Sequence, residues 1–311
     1  MSARYFGSYS VELDNEDKVF FPEEGITKGD VIRYYQRVGK DMLRHLRDRP
    51  LTLQRFPDGI REEGFYQKQV PEHFPGWIQR VEVDLEEGDV QEQTVVNKKA
   101  TLVYLANQGV ITPHVWLSRT DELRQPDRLV FDLDPSGDDF RAVRQAARML
   151  QRLLSKLGLA PFVMTTGSSG AHVWAPLRRG PEFQEVRTFA GEVADCLAEA
   201  FPGDFTTETR KDRREGRLFL DVGRNAYGQT AVAPYALRPL PGAPAAVPLD
   251  WEELDRSDLG PRSFTLNNVP RRLSQKDDPW AGMGRRRASL SGAKKKLAEF
   301  HPDVCKEAVE A

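Results

Sequence analysis

The chain has 311 residues, of which 39% are hydrophobic and 30% charged, and its formal net charge is −2 at pH 7. The length allows a full core in one large domain or two small ones, and the charge balance excludes a chain that is basic throughout and binds nucleic acid over its whole surface. No apolar run reaches membrane-spanning length and the first five residues have no apolar targeting core, so we expect a cytoplasmic protein with no membrane partner.

The first predicted helix covers residues 28–46 and follows a strand-like N-terminal segment. Thr27 is its predicted N-cap, because Asp30 follows three positions on and apolar residues then recur on one helix face. Lys28 lies in the first turn, where it would help backbone N–H groups to hold an anion, and Lys18 is a candidate neighbour. The alternative is that both lysines are ordinary solvated side chains.

A strand is predicted at residues 51–56, and aromatic and basic side chains interleave in the segment after it. The aromatic residues of that segment are Phe65 and Tyr66. This pattern suits bases that stack on the aromatic rings while cations contact phosphates. Aromatic residues in a strand more often belong to the core, and that alternative stays open. Further along, His114 lies in an extended apolar segment, where it is either an ordinary core or surface histidine or a contact for a triphosphate.

The segment at residues 129–135 is typical of a buried strand, yet it carries two carboxylates. Because strand side chains alternate, Asp132 and Asp134 lie on one face and Phe131 and Leu133 on the other. Two neighbouring carboxylates repel each other and resist leaving water, and a bound divalent cation removes both penalties. Paired oxygen ligands favour Mg²⁺ or Mn²⁺. The alternative is a strand end whose acids face solvent or cap the next turn.

A glycine- and serine-rich loop then joins two predicted apolar strands. Ser168 and Ser169 lie in this loop, and His172 opens the second strand. The backbone N–H and hydroxyl groups of such a loop can approach phosphate oxygens closely, although the same sequence also fits an ordinary hairpin. Asp221 is a further acid on an apolar strand, and the charged turn before it, residues 210–217, is predicted to be a solvated face.

The C-terminal part of the chain is less regular. Residues 239–250 are a predicted proline- and alanine-rich connector, and the chain is polar and basic beyond about residue 276. We therefore predict one catalytic domain over residues 1–275 and a loosely packed basic tail over residues 276–311 that contacts nucleic acid weakly. The two cysteines are far apart and in no CxxC pattern, so neither a zinc site nor a disulfide framework is expected, in keeping with a reducing cytoplasm.

These features form one constellation of acids, a phosphate-binding loop and an anion-binding helix start. Two metal ions held by Asp132, Asp134 and Asp221 can align a 3′-hydroxyl with the α-phosphate of a nucleoside triphosphate. The glycine- and serine-rich loop and His172 would hold the β- and γ-phosphates. The constellation therefore points to nucleotidyl transfer.

Three motifs in combination resemble a known family. They are Val-Phe-Asp-Leu-Asp-Pro at 130–135, Thr-Gly-Ser-Ser-Gly-Ala-His at 166–172, and Phe-Leu-Asp at 219–221 followed by Ala-Pro-Tyr-Ala-Leu-Arg at 233–238. From about residue 14 to about residue 269 the chain resembles the archaeo-eukaryotic primase superfamily. More closely, it is similar to the polymerase domain of bacterial ligase D and its stand-alone relatives in non-homologous end joining.

The resemblance implies an α/β (α+β) fold in two layers, with a mainly antiparallel, RRM-like sheet flanked by helices. It implies that the metal ligands are Asp132, Asp134 and Asp221. The residues implied to contact the incoming nucleotide are His114, Thr166, Ser168, Ser169, His172 and Arg238. The residues implied to contact DNA are Lys18 and Lys28, at the 5′-phosphate of a gap or break, and Phe65 and Tyr66, at the template.

The activity implied by the resemblance is a template-dependent nucleotidyltransferase that adds ribo- or deoxyribonucleotides to 3′ ends, with two Mn²⁺ or Mg²⁺ ions. The implied partners are gapped or 5′-phosphorylated broken DNA, NTPs or dNTPs, Ku and a separate ATP-dependent DNA ligase, at the nucleoid of a bacterial cytoplasm. Three alternatives stay open: a primase-polymerase that starts chains de novo, a non-catalytic scaffold that binds 5′-phosphorylated ends, and a two-metal nuclease.

The chain departs from the family pattern at three positions. Thr166 stands where relatives have a serine, Ser169 where a lysine is common, and Gln229 where a lysine is frequent. The loss of two cations near a triphosphate is expected to weaken nucleotide binding. The three aspartates are intact, which argues against an inactive relative.

Overall fold

The computed structural model describes residues 2–85, 88–137 and 139–310. The chain divides into two compact units, each assembled from several segments. Unit 1 comprises residues 1–123, 230–247 and 263–278, and unit 2 comprises residues 124–229, 248–262 and 279–311. The chain passes between the units repeatedly, so the division does not follow the predicted single domain over residues 1–275.

The described residues form eight α-helices and sixteen strands. The helices are α1 (Lys28–Leu46), α2 (Lys99–Asn107), α3 (Phe140–Lys156), α4 (Phe183–Ala200), α5 (Trp251–Leu254), α6 (Val269–Gln275), α7 (Leu290–Leu297) and α8 (Pro302–Glu310). The first eight strands are β1 (Ser2–Phe6), β2 (Tyr9–Leu13), β3 (Val19–Phe21), β4 (Ile26–Thr27), β5 (Pro50–Arg55), β6 (Phe65–Gln67), β7 (Arg80–Asp84) and β8 (Val90–Val95). The others are β9 (Val110–Trp116), β10 (Arg128–Asp134), β11 (Phe162–Thr165), β12 (Ala171–Pro176), β13 (Phe205–Thr206), β14 (Leu218–Asp221), β15 (Thr230–Val232) and β16 (Val247–Leu249). None of the described helices combines the length and the apolar character that crossing a membrane requires.

Unit 1 is built on a sheet of order β15-β9-β5-β8-β7, with β6 beside β5. The predicted helix at residues 28–46 is confirmed as α1, and Thr27 forms the predicted capping box with Asp30. Two tyrosines of α1 are fully buried, and their hydroxyls donate to backbone carbonyls: Tyr34 to Tyr235 at 2.8 Å, and Tyr35 to Ile111. The helix is thereby anchored by hydrogen bonds as well as by its apolar face.

Unit 2 contains a sheet of order β13-β14-β10-β12-β11-β16. Strand β10 lies between β14 and β12 and is antiparallel to both, whereas β13 and β14 are parallel. Phe131 and Leu133 are fully buried, while Asp132 and Asp134 are partly exposed, which confirms the predicted alternation. The acids are therefore carried by the strand that the sheet holds from both sides.

The C-terminal residues pack more tightly than we expected. Residues 276–311 include α7 and α8, and α8 contacts both α3 and α4. Leu290 and Val309 are buried, and the buried indole of Trp280 donates to the carbonyl of Val163 at 3.1 Å. The segment is rich in basic residues, but α7 and α8 each bury a set of apolar side chains. The expectation of a loosely packed tail is therefore wrong.

The two cysteines are paired, which corrects the sequence-based expectation. Cys196 of α4 and Cys305 of α8 form a disulfide, with Cα atoms 6.2 Å apart, within the usual range for such bonds. The two cysteines are 109 positions apart in the chain, so the sequence carries no local signal of their pairing. The disulfide links α8 covalently to α4 of unit 2.

Candidate active site

Strand pairing in unit 2 brings the three predicted metal ligands together. Asp132 on β10 is directly paired with Asp221 on β14 and, on its other side, with His172 on β12. Directly paired residues of antiparallel strands project from one face, with Cβ atoms roughly 4.5–5.5 Å apart, and Asp134 shares that face because it lies two residues from Asp132. We call these four side chains, Asp132, Asp134, Asp221 and His172, the acid row.

Cationic and N–H groups offset the charges of the acid row. The Nη1 of Arg214 donates to Oδ2 of Asp134 at 2.8 Å, and the Nε of Arg224 lies 3.8 Å from Oδ2 of Asp132. His172 places Nε2 3.3 Å from Oδ1 of Asp132. The backbone N–H of Gly223 donates to Oδ1 of Asp221 at 2.7 Å. Each carboxylate is therefore compensated by groups of the chain itself.

Arg214 is held firmly in place. Its Nε and Nη2 donate to the carbonyls of Glu208 and Thr209 at 3.2 and 3.0 Å, and its guanidinium lies 4.1 Å from the ring centroid of Phe219. Only 9% of its side chain is exposed. The prediction that residues 210–217 are a solvated face is wrong for this residue, and nothing in the local pattern distinguishes it from the other basic residues of the turn.

Asn225 fixes the chain that follows Asp221 against β10, a role that sequence reasoning missed. Its buried amide accepts from the N–H of Val130 at 2.9 Å and donates to the carbonyl of Val130 at 2.7 Å. The same amide nitrogen also donates to the carbonyl of Val222 at 2.9 Å. The amide bonds to both backbone groups of Val130, as a residue of a neighbouring strand would. The hydrogen bonding between β10 and the chain after Asp221 therefore continues beyond the last residue of β14.

The donor chemistry of the acid row fits a divalent cation. Three carboxylates on one face are the hard oxygen donors that Mg²⁺ and Mn²⁺ prefer. The Oδ1 of Asp134 and the Oδ2 of Asp221 make no hydrogen bond within the described part of the chain. As the side chains now lie, no group of three His, Cys, Asp or Glu residues among those described is arranged as a metal site. A cation would therefore have to draw the carboxylates away from their present partners.

The glycine- and serine-rich loop lies directly on β10. A Cβ on Gly170 would come within 2.0 Å of the carbonyl oxygen of Leu133, so only glycine fits there. The buried Thr166 hydroxyl donates to the carbonyl of Gly170 at 3.1 Å and accepts from the N–H groups of Ser168 and Gly170, both at 3.3 Å. Thr166 thus stabilises the loop itself, and its role toward a nucleotide stays a prediction.

The other loop residues differ in exposure. Ser169 is exposed and Ser168 half-buried, and the carbonyl of Ser168 accepts from Nε of Arg262 at 2.9 Å. His172 is buried, and its Nδ1 has no hydrogen-bond partner among the described residues. A buried nitrogen without a hydrogen-bond partner is costly. Within the loop region, His172 is therefore the residue whose side chain would gain most from a bound ligand.

Lys18 and Lys28 lie close together in unit 1, and a shared role at a 5′-phosphate stays a prediction. They line a cavity of about 220 Å³ together with Arg55. The ammonium group of Lys28 bonds to Asp14 and that of Lys18 to Asp58. The hydrogen bond from Lys28 lowers the pKa of the Asp14 carboxyl below its usual value. We call this cavity the lysine pocket.

The start of α1 does not hold an anion through its backbone. The N–H groups of Lys28 and Gly29 donate to the carbonyls of Lys18 and Glu16 at 2.8 and 2.9 Å, and that of Asp30 to the Thr27 hydroxyl at 3.2 Å. These contacts use the donors that the sequence-based hypothesis assigned to an anion, so that part of the hypothesis is wrong. The positive charge of the lysine pocket comes from side chains alone.

The predicted template residues lie on the edge strand β6. Phe65 is 47% and Tyr66 61% exposed, which excludes the alternative that they are core residues. The guanidinium of Arg55 lies 5.4 Å from the ring centroid of Phe65. His114 on β9 is half-buried and meets Tyr66 edge to face, with ring centroids 5.7 Å apart. Two aromatic faces are thus available for stacking.

Arg238 belongs to unit 1 and ends the Ala-Pro-Tyr-Ala-Leu-Arg motif. Its N–H donates to the carbonyl of Pro244 at 2.7 Å. Within the motif, the hydroxyl of Tyr235 donates to Oδ1 of the buried Asp278 at 2.8 Å, and His45 bonds to Oδ2 at 2.8 Å. The motif tyrosine therefore anchors the segment that carries Arg238, while the nucleotide contact of Arg238 stays a prediction.

Comparison with known proteins places these sites in a family. Residues 27–280 match the family described as "LigD, primase-polymerase domain". The chain is 32% identical to the multifunctional non-homologous end joining protein LigD of Mycolicibacterium smegmatis over 271 residues, which covers 86% of this chain and 35% of that protein. For the LigD proteins of Pseudomonas aeruginosa and Bacillus subtilis the identities are 33% and 35%, over 91% and 87% of this chain and 34% and 43% of those proteins. The chain thus spans well under half the length of these curated relatives.

A solved structure shows the same fold. The polymerase domain from Mycobacterium tuberculosis ligase D, in complex with DNA, matches with a TM-score of 0.83 and 30% identity, over 89% of this chain and 99% of that domain. This likeness confirms the predicted α/β archaeo-eukaryotic primase fold. On the family match and these identities together, the chain belongs to the LigD primase-polymerase domain family.

Proposed function

We propose that the protein is a template-dependent nucleotidyltransferase that adds nucleotides to 3′ ends at gaps and double-strand breaks in non-homologous end joining. The observation that carries the proposal is the acid row, in which three carboxylates from two adjacent strands meet on one face of the sheet. The names of the curated relatives support the pathway, because they are non-homologous end joining proteins. In this pathway the protein would act at the nucleoid beside Ku and a separate ATP-dependent DNA ligase.

Asp132, Asp134 and Asp221 would hold the divalent cations, Mn²⁺ or Mg²⁺. When bound, such ions lower the pKa of an attacking hydroxyl and offset the charge that develops on the leaving group. The strand register holds the carboxylates on one face, and Asn225 stabilises the chain beyond Asp221.

The chain's other residues in unit 2 would bind and orient the triphosphate. Ser168 and Ser169 lie on the loop that rests on β10, and their hydroxyls can donate to phosphate oxygens. His172 would use its unpaired Nδ1 as a further contact. Neither serine replaces the positive charge of the lysine common in relatives, so weak triphosphate binding is expected.

Unit 1 would recognise the DNA end. In the lysine pocket, Lys18, Lys28 and Arg55 carry three positive charges against the two carboxylates of Asp14 and Asp58. A 5′-phosphate that entered would form charge-assisted hydrogen bonds with these cations. The exposed rings of Phe65 and Tyr66 would stack on template bases. The DNA part of the proposal thus predicts binding that weakens with salt, because phosphate contacts release counterions.

The test is primer extension on a gapped duplex, with NTPs or dNTPs and with Mg²⁺ or Mn²⁺. We expect the double variant Asp132→Asn with Asp134→Asn, which preserves the shape of the side chains, to reduce nucleotide addition to background. Asp195→Asn with Asp258→Asn changes two exposed acids of unit 2 and is the matched control. If the acid-row variant extended primers at the wild-type rate, the proposed function would be rejected.

The same assay separates the alternatives left open by the sequence. Dinucleotide synthesis without a primer would identify a chain-starting primase. Loss of labelled primer without added nucleotide would identify a nuclease. Binding of 5′-phosphorylated ends with no addition under any metal would identify a scaffold.

A further inference from the structure

A second cavity, of about 430 Å³, lies in unit 1 beside the lysine pocket. This volume falls within the range of small-molecule binding sites. Asp14, Asn107 and Gln108 line both cavities, so an occupant of one would lie next to an occupant of the other. We call the second cavity the aromatic pocket; the lining residues that define it here are Glu12, Asp14, His73, Trp77, Tyr104 and Gln108.

The wall shared by the two cavities is well ordered by hydrogen bonds. The side chain of Asn107 accepts from the N–H of Asp14 at 3.2 Å and donates to the carbonyl of Glu12 at 3.1 Å. The carbonyl of Gln108 accepts from Nε of Arg55, which lines the lysine pocket, at 2.9 Å. The two cavities are therefore fixed in relation to each other within unit 1.

Aromatic rings line one side of the aromatic pocket. The ring centroids of Trp77 and Tyr104 are 6.1 Å apart at an interplanar angle of 77°, and Trp77 also meets Tyr9 at 5.2 Å. Both Trp77 and Tyr104 are half-buried, so their rings retain open surface, and His73 beside them is exposed. Such half-open rings favour a flat aromatic ligand.

The charges of the aromatic pocket oppose those of the lysine pocket. Glu12 and Asp14 contribute carboxylates, and no lysine or arginine is among the described residues that line it. The pocket would therefore repel a phosphate, whereas its carboxylates can accept from the N–H groups on the edge of a nucleobase. A ligand that suits both cavities carries a phosphate at one end and a base at the other.

We propose that the aromatic pocket binds the unpaired nucleobase of the terminal nucleotide whose 5′-phosphate occupies the lysine pocket. This inference rests on the proposed function, because it assumes that the lysine pocket takes a DNA 5′-phosphate. It extends that function to ends whose last base is frayed or overhanging. The stacked base would keep the 5′ end splayed away from its complementary strand.

The experiment measures binding of the full chain to labelled DNA by fluorescence anisotropy. Two duplexes carry one unpaired, 5′-phosphorylated terminal nucleotide, which holds adenine in the first and is abasic in the second. We expect the adenine end to bind about tenfold more tightly, because stacking of one base on aromatic side chains is commonly worth that much. Trp77→Ala should abolish this difference, and Trp77→Phe should retain most of it.

A second pocket variant and one control guard against a merely structural effect of the Trp77 substitution. His73→Ala removes an exposed ring of the pocket and should reduce the base-dependent difference severalfold. Tyr5→Ala removes a ring that is 76% exposed and does not line the pocket, and it should leave the difference unchanged. All four substitutions should leave the preference for a 5′-phosphate over a 5′-hydroxyl intact, because that preference depends on the lysine pocket.

The outcomes separate the two proposals. Equal binding of the adenine and abasic ends by the wild-type chain would overturn the base site while leaving the phosphate site standing. A base-dependent difference that survives both Trp77→Ala and His73→Ala would also overturn it. Absence of any 5′-phosphate preference in the wild-type chain would instead reject the proposed role of the lysine pocket.

Discussion

The acid row of unit 2 and the lysine pocket of unit 1 have opposite charges, but in both the charged groups are paired with counter-ions from the chain itself. In the acid row, carboxylates are offset by Arg214, Arg224 and His172. In the lysine pocket, ammonium groups are offset by Asp14 and Asp58. Each site holds internal counter-ions, so a ligand of either site would have to displace them or share them.

The two sites differ in how their charged groups are held. Hydrogen-bonded strand register holds the aspartates, and the carbonyls of Glu208 and Thr209 hold the counter-ion Arg214. The lysine pocket takes Lys28 from a helix start, Arg55 from the end of β5 and its other charged groups from loops. Lys18 and Asp58 are 39% and 65% exposed. A buried counter-ion is costly to remove, whereas an exposed ion pair contributes little. The comparison therefore predicts large effects in the acid row and smaller ones in the lysine pocket.

The largest effect is expected from Arg214→Met. The substitution keeps much of the apolar contact with Phe219 but removes the charge-assisted hydrogen bond to Asp134 and leaves two carbonyls without a donor. We expect the free energy of unfolding to fall by about 2 kcal/mol in a metal chelator. Because Asp134 would then lack its counter-ion, added Mn²⁺ should stabilise the variant more than the wild type. Urea denaturation with chelator and with Mn²⁺ measures both changes.

Arg210→Met is the matched control for this substitution. Arg210 lies in the same turn, but its guanidinium is exposed and pairs with Asp212. Its loss should change stability by less than about 0.5 kcal/mol and leave the response to Mn²⁺ unchanged. Equal stabilisation of wild type and Arg214→Met by Mn²⁺ would mean that Arg214 is not a counter-ion for the acid row.

The same contrast explains what the sequence could predict. Period-two alternation along β10 is a local property, so it identified Asp132 and Asp134 as neighbours on one face. The pairing of Asp221 with Asp132 depends on strands 89 positions apart in the chain, and the family motifs indicated it where periodicity could not. Asn225 left no such signal, because its partners are backbone groups, which have the same chemistry at every position. Arg214 left none because it is one of several basic residues in a charged turn, and its contact with Asp134 joins positions 80 apart in the chain.

An intermediate effect is expected from Lys28→Ala. Lys28 is buried and makes one charge-assisted contact within the lysine pocket. We expect its loss to weaken binding of gapped DNA with a 5′-phosphate about tenfold, since such a bond is worth roughly 1.5–3 kcal/mol. Binding of the 5′-hydroxyl form should change much less. Lys40→Ala, at an exposed position of the same helix, is the control, and equal losses on both DNA forms would make Lys28 an ordinary surface charge.

The pKa of the Asp14 carboxyl measures the contact between Lys28 and Asp14 in the absence of DNA. The hydrogen bond from Lys28 lowers this pKa, so the pair persists above the usual carboxyl value of about 3.9 and is lost as the pH falls through the lowered value. In Lys28→Ala the pKa should rise toward about 3.9. A carboxyl titration of Asp14 by NMR measures the shift, and an unchanged midpoint would show that Lys28 does not hold Asp14 in solution.

The smallest effect is expected from Asp58→Asn. The informative result is whether the substitution tightens or weakens binding of 5′-phosphorylated DNA. Asp58 pairs with Lys18 and is mostly exposed, so the pair is worth less than about 1 kcal/mol. If Asp58 is a counter-ion that a 5′-phosphate must displace, its neutralisation should tighten binding of 5′-phosphorylated DNA up to about fivefold, more than it tightens binding of the 5′-hydroxyl form. Asp17→Asn removes the same charge from an exposed residue next to Lys18 and should have less effect, since Lys18 bonds to Asp58. Weaker binding by Asp58→Asn would mean that the aspartate orients Lys18 for the phosphate, and equal gains from both variants would mean that only the net charge of the region matters.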